Sequence, residues 1–298
     1  MRTLGRRLVK ALGAVLLLLI VLAAGVWVAS NRALHGAEVG GHPVDVPDGA
    51  EAVAAGERLV RSSLCSDCHG EDLGGQVFID EPPFMVLPAP NLTTGEGGVA
   101  GADAAILERA IRHGIGRDGR QLVIMPSHFY NELTDDEIGK IIAYLRAAPP
   151  VDRESGRRHV GPAGRIAVLT SGDELLPSRT VPYDAPHERA VEPGSRAQGR
   201  QLSLSCRACH GRELAGGHVA GTDTLRAPNL TPDPEGKLAG WTVEDFRHLL
   251  RSGRRPDGSA VASYMPWQAY SGLTDLEIEA LWSYVSTVEA RPTAMPGG

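Results

Sequence analysis

Cys65-Ser66-Asp67-Cys68-His69-Gly70 recurs 141 residues later as Cys206-Arg207-Ala208-Cys209-His210-Gly211. These two pairs account for all four cysteines of the chain. Each opens a longer series that repeats in the same order. Ala89-Pro90-Asn91-Leu92-Thr93 returns as Ala227-Pro228-Asn229-Leu230-Thr231, and Arg117-Asp118-Gly119 is echoed by Arg255-Pro256-Asp257-Gly258. Met125-Pro126 returns as Met265-Pro266, and Leu133-Thr134-Asp135 as Leu273-Thr274-Asp275. The offsets stay between 138 and 141. That period is too long for a solenoid, so the chain holds two copies of one small domain.

Each copy reads as helical. Apolar residues at helical spacing mark Ala50–Ser63 and Arg196–Leu204 just before the cysteine pairs, with Gly56 and Gly199 inside them. Glycine costs about 1 kcal/mol inside a helix, and close approach of another helix is the expected compensation. Middle helices are expected at Asp103–His113 and Thr242–Arg251. Thr134 and Thr274 are N-caps followed by acids. The helices they open should bury Ile138, Ile141, Ile142 and Leu145 in one copy and Ile278, Leu281, Trp282 and Val285 in the other.

C-x-x-C-H is the attachment signature of c-type haem. Two thiols at this spacing can add across the two porphyrin vinyl groups, and the adjacent histidine then reaches the iron. Two local disulfides or a zinc site also use C-x-x-C, but both leave His69 and His210 unexplained. The two covalent haems would therefore sit on Cys65, Cys68 and His69, and on Cys206, Cys209 and His210. Met125 lies 56 residues after His69, and Met265 lies 55 after His210. Both precede proline, so they are the expected second axial ligands; His128 and Met85 are the rivals at the first haem, His248 and His218 at the second. A ligating histidine usually donates its other N–H to a carbonyl, which Pro90 and Pro228 or a neighbour could present.

Outside the repeats, Ala11–Asn31 is 21 residues without charge, preceded by Arg2, Arg6, Arg7 and Lys10. That suits a helix crossing a hydrocarbon core of about 30 Å with its N-terminus in the cytoplasm. A cleaved signal peptide is the alternative; both readings export the rest of the chain. The formal net charge is -6, against a nucleic-acid partner. It is unevenly spread: residues 45–150 carry -9 and residues 188–290 carry -2. Residues 151–190 are rich in Pro, Gly and Arg without clean periodicity, and read as a linker draped over the domains. The resulting layout is all-α: an anchor over 1–31, domains over 32–150 and 191–298, and the 151–190 linker.

The second copy in particular resembles the bacterial mono- and dihaem cytochromes c, above all the cytochrome subunits of membrane alcohol and sugar-acid dehydrogenases. Ala227-Pro-Asn-Leu-Thr-Pro-Asp, Gly240-Trp-Thr-Val-Glu-Asp-Phe, Leu250-Arg-Ser-Gly and Met265-Pro-Trp-Gln-Ala-Tyr carry the likeness. The resemblance implies two class I cytochrome c domains, with Cys65, Cys68, His69 and Met125 holding one haem and Cys206, Cys209, His210 and Met265 the other. With Ala11–Asn31 as the anchor, the expectation is a single-pass protein of the bacterial inner membrane, its haem domains periplasmic. Such a protein relays electrons between redox partners such as a dehydrogenase, a terminal oxidase or a soluble cytochrome. Those subunits commonly have three haem sites and a C-terminal anchor, where this chain has two and an N-terminal apolar run. The competing class is a dihaem enzyme, peroxidase-like or sulfur-compound oxidising. The sulfur-oxidising type needs a cysteine ligand, and the chain has none to spare. A matched pair of methionine ligands leaves no open iron, so no catalytic residue is assigned.

Overall fold

The computed structural model describes residues 2–35, 39–184, 186–219 and 224–294; the side chains of residues 2–4 and of His218 lie outside that description. The chain begins with α1, Arg2–Leu34. At about 1.5 Å per residue it is about 50 Å long, more than a hydrocarbon core needs. Its apolar side chains from Leu8 to Val28 stand exposed, and the mean hydropathy of its most apolar stretch is 2.8. The helix runs past Asn31 because its last turn belongs to the body of the protein. Ser30 and Leu34 are buried there.

The first copy follows as α2 (Ala50–Ser62), α3 (Cys65–His69), the hairpin β1 (Gln76–Glu81) and β2 (Met85–Ala89), α4 (Ala104–His113), α5 (Ser127–Tyr130) and α6 (Asp135–Ala147). Then come β3 (His159–Val160), α7 (Pro162–Thr170), α8 (Gly172–Leu175) and a 3-10 turn at Pro177–Thr180. The second copy is α9 (Arg196–Leu202), α10 (Leu204–His210), β4 (Gly217–His218), β5 (Arg226–Ala227), α11 (Val243–Ser252), α12 (Trp267–Tyr270) and α13 (Asp275–Val285).

In each copy the helix before the cysteine pair crosses the last helix at a glycine. A Cβ on Gly56 would lie 2.0 Å from the Lys140 carbonyl oxygen, and one on Gly199 1.9 Å from that of Ala280. Backbone meets backbone, which is the compensation the sequence suggested. Thr134 and Thr274 close capping boxes with Glu137 and Glu277. Ile138, Ile141, Ile142 and Leu145 are buried in the first core; Ile278, Leu281 and Val285 are buried in the second. Trp282, expected inside, is only partly buried and leans on Phe246.

Two expectations need correcting. Both cores are helical, but the chain is not purely α: β1, β2 and β3 form a three-stranded antiparallel sheet, and β4 pairs with β5. Residues 151–190 are also more than a featureless connection. They supply β3, α7 and α8, and Val160, Val168 and Leu176 of this segment form an apolar cluster with Leu34, Met85, Leu87 and Val123. None of these elements exceeds nine residues, too short for a hydrophobic period to stand out.

The copies touch each other. Ser205 Oγ donates to the Ser62 carbonyl at 2.5 Å, Arg58 pairs with Glu277 at 3.0 Å, and Leu204 of the second copy is buried in the core of the first.

Candidate haem-attachment sites

Both C-x-x-C-H segments are helical and end in the same backbone device. Gly70 and Gly211 follow the histidines at φ 84 and 79, a conformation that only glycine adopts freely. The chain then turns so that Gly75 N–H donates to the His69 carbonyl and Gly216 N–H to that of His210, both at 2.8 Å. Leu73 and Leu214, at φ 55 and 59, sit at matched points of that loop. Non-glycine residues held there cost of order 1–3 kcal/mol, and the loop is repeated despite that cost.

The loop aims each imidazole. His69 Nδ1 lies 2.8 Å from the Pro90 carbonyl, and His210 Nδ1 2.8 Å from that of Pro228. A carbonyl only accepts, so each Nδ1 carries the proton and each Nε2 keeps a free lone pair. That is the arrangement a metal-ligating histidine requires. The asparagine after each proline locks the carbonyl in place. Asn91 Nδ2 donates to Val151 O and Asn229 Nδ2 to Arg291 O, both at 2.7 Å, while each Oδ1 accepts from the N–H of Thr93 or Thr231 at 2.8 Å. Asn91, Thr93, Asn229 and Thr231 are all buried. Pro-Asn-Leu-Thr therefore works as a unit: proline presents the acceptor, and asparagine and threonine tie it to the segment leaving the last helix.

Burial sets the electrostatics. It lowers the basicity of His69 and His210, against the opposing pull of the proline carbonyls. Burial pushes the Cys65 thiol up to about 12 and the Cys68 and Cys206 thiols up to about 11, and it raises Cys209. Neutral sulfur, the form found in a thioether, is what these surroundings favour. None of the four cysteines is paired in a disulfide.

Met125 and Cys65 pack against one core, Met265 and Cys206 against the other. Each methionine carbonyl accepts a hydrogen bond at 2.8 Å from the N–H two residues on, that of Ser127 or Trp267. The rivals are placed differently. Met85 is fully buried beside Leu34 and Val160 in the separate cluster under the sheet. His128 rests on Phe129, and His248 is exposed on α11 near Ser252. The side chain of His218 lies outside the described residues.

Tyr130 and Tyr270 were not anticipated as site residues. Tyr130 Oη donates to the Ser63 carbonyl at 2.7 Å, and Tyr270 Oη lies 2.9 Å from Ser205 Oγ. Both brace the chain entering a cysteine pair. The signal was present, since each tyrosine stands five residues after its methionine. Burial, and after it the charge of Asp67 inside the first pair, raises the Cys209 thiol of the second copy.

Duplicated helical domains, each with a C-x-x-C-H helix and a histidine held for ligation, define a c-type haem protein. The cytochrome c family model matches residues 53–149 and 197–289, and the chain belongs to that family. Membership implies covalently bound haem c and electron transfer by haem. Among similar proteins, the fructose dehydrogenase cytochrome subunit of Gluconobacter japonicus is 26% identical over 261 residues, covering 80% of this chain and 53% of that protein. The cytochrome c subunit of the quinone-dependent alcohol dehydrogenase of Gluconobacter oxydans is 32% identical over 112 residues, 35% of this chain and 23% of that one. A diheme cytochrome c-type protein of Cereibacter sphaeroides is 29% identical over 140 residues, 42% and 47% of the two chains. The chain thus spans about half the length, or less, of these relatives.

Proposed function

We propose that this protein is a dihaem electron relay held at the outer face of the bacterial inner membrane by α1. It would take electrons from a dehydrogenase partner and pass them towards a respiratory acceptor. The haem domains are assigned to residues 32–150 and 191–298. Cys65 and Cys68, and Cys206 and Cys209, hold the haems as thioethers. His69 and His210 are the proximal ligands, and Met125 and Met265 the distal ones. Bound haem supplies a one-electron iron couple; the polypeptide supplies its surroundings. His69 and His210 are oriented by the Pro90 and Pro228 carbonyls, which hold the proton at Nδ1 and leave Nε2 its lone pair. The two methionines offer thioether sulfur that favours the ferrous state. The second cysteine–histidine helix packs against the first copy through Leu204 and Ser205, which supports a relay between the two sites.

The observation that carries this reading is the matched pair of imidazole Nδ1–carbonyl contacts, both 2.8 Å. The test is to express the chain with haem-attachment machinery and measure its mass after denaturation. Two haems in excess of the polypeptide are expected. One haem, or none, overturns the dihaem reading.

A further inference from the structure

A second group of potential ligands lies on the first copy, away from both cysteine pairs. Glu108 and His113 on α4 and His187 from the segment between the copies each offer one donor atom, and the three atoms lie within 4.8 Å of one another. His113 Nε2 is 3.6 Å from Glu108 Oε1, close to the separation of about 3.4 Å that two ligands about 2.1 Å from a tetrahedral zinc adopt. His113 is fully buried, yet neither of its ring nitrogens has a hydrogen-bond partner, and His187 Nε2 is likewise buried and unpartnered. Buried polar nitrogens are normally satisfied. Here they are not, and one nitrogen of each ring lies within 4.8 Å of the other and of a Glu108 oxygen.

The charges leave room for a cation. Arg112, fully buried, lies 3.2 Å from Glu108 and 2.9 Å from Asp135. One guanidinium thus faces two carboxylates. Glu108 Oε2 is fixed by the His42 backbone N–H at 2.9 Å, which orients the carboxylate. The His42 ring lies beside the group, 6.3 Å from His113 and 6.5 Å from His187, centre to centre. His187 is also held in place: Asp135 and Asp136 N–H groups donate to the Glu188 and Arg189 carbonyls at 3.0 and 2.9 Å.

The second copy is an internal control. At the offset of 139 that relates Gly114 to Gly253, Glu108 and His113 correspond to Arg247 and Ser252. A haem domain of this fold therefore stands without the group. His42 and His187 lie outside the stretches that match the family. We propose that Glu108, His113 and His187 form a binding site for a divalent transition-metal ion of the zinc type, clamping the segment that follows the first domain onto α4.

The test uses the full-length, haem-loaded protein in detergent, stripped with a chelator and titrated with zinc alone in competition with a chromophoric chelator. One zinc per chain with a dissociation constant below about 1 μM is expected. His113→Ser, which installs the residue the second copy carries, and His187→Ala should each weaken binding by at least about 100-fold. Their visible haem spectra should stay unchanged, which separates loss of the site from loss of the fold. Zinc should also raise the unfolding temperature of the wild type and not of the variants. Absence of stoichiometric binding in the wild type, or equal binding by wild type and variants, overturns the proposal.

Discussion

Arg207 Nη1 donates to Glu132 Oε1 at 3.0 Å, joining the second cysteine pair to the first domain. Arg207 stands between Cys206 and Cys209, is 5% exposed, and also donates to Tyr284 Oη at 3.0 Å. Glu132 accepts from Arg200 as well, at 2.7 Å. The pair is not duplicated: the positions equivalent to Arg207 and Glu132 hold Ser66 and Gly272. Removing Glu132 strands a buried guanidinium. Glu132→Ala should destabilise the contact between the domains by about 2 kcal/mol, less than a fully buried pair because Glu132 is partly exposed. Thermal unfolding should split into two transitions, and the doubly reversed Glu132→Arg, Arg207→Glu protein should recover part of the loss.

Gly56→Ala and Gly199→Ala should each destabilise by about 1–3 kcal/mol or more, although alanine is the better helix former by about 1 kcal/mol. The added methyl would meet the carbonyls of Lys140 and Ala280 inside the helix crossing. Gly272→Ala is the control, since its Cβ would meet nothing within 4 Å. Denaturant midpoints decide the matter; equal stability of all three variants contradicts the close-crossing account.

The asparagines after the proline carbonyls should matter more to the haem than to the fold. Asn91→Ala removes the donor to Val151 O and the acceptor for Thr93 N–H, and Asn229→Ala does the same against Arg291 and Thr231. Each should cost about 1–3 kcal/mol as buried groups lose partners. Each should also shift one of two midpoints in a redox titration, because the proline carbonyl no longer fixes its histidine. A variant with two unshifted midpoints separates the asparagine from the haem.

Much of this arrangement is legible in the sequence. The repeat located both cysteine pairs, the capped last helices and the paired glycines, because those features recur and their spacing reflects local geometry. The Pro-Asn-Leu-Thr unit was legible as a carbonyl source, but not as a tie to Val151 and Arg291, partners 60 and 62 residues away. Such pairings are set by the tertiary path and leave no local period. The same holds for His187 beside Glu108, and for the short strands and helices of residues 151–190. Trp282 illustrates a different limit: its position on the apolar stripe of α13 is right, but a large ring at the edge of a small core cannot be wholly enclosed.

The N-terminal helix should be separable from the haem domains, with a boundary earlier than its apolar run implies. Arg165 Nη1 donates to Ser30 Oγ at 2.9 Å and Asn31 Oδ1 at 3.0 Å, and its guanidinium lies 5.7 Å from the Trp27 ring centre. A truncation that starts at Ser30, behind a cleavable export signal, should be soluble and red. One that starts at Leu34 loses both Arg165 acceptors and should unfold several degrees lower. Solubility without detergent and melting curves of the two products test this; a Ser30 truncation that still requires detergent contradicts it.

The last expectation concerns the irons. With Met125 and Met265 both ligating, each iron is six-coordinate and low-spin, and the oxidised protein should show the weak near-infrared sulfur–iron charge-transfer band at an intensity for two haems. Met125→Ala and Met265→Ala should each remove about half of that band and lower one midpoint potential, since thioether ligation favours the ferrous state. Neither change should release haem, because the bonds to the cysteine pairs are untouched. Met85→Leu is the control: Met85 is buried in the cluster under the sheet, so its replacement should leave the band intact. The wild type should bind carbon monoxide poorly and react slowly with peroxide, having no free coordination position at either iron. Ready carbon monoxide binding at one haem of the wild type contradicts double methionine ligation. Peroxide turnover at that same haem would make the protein an enzyme, with the iron that lacks methionine as its reactive centre.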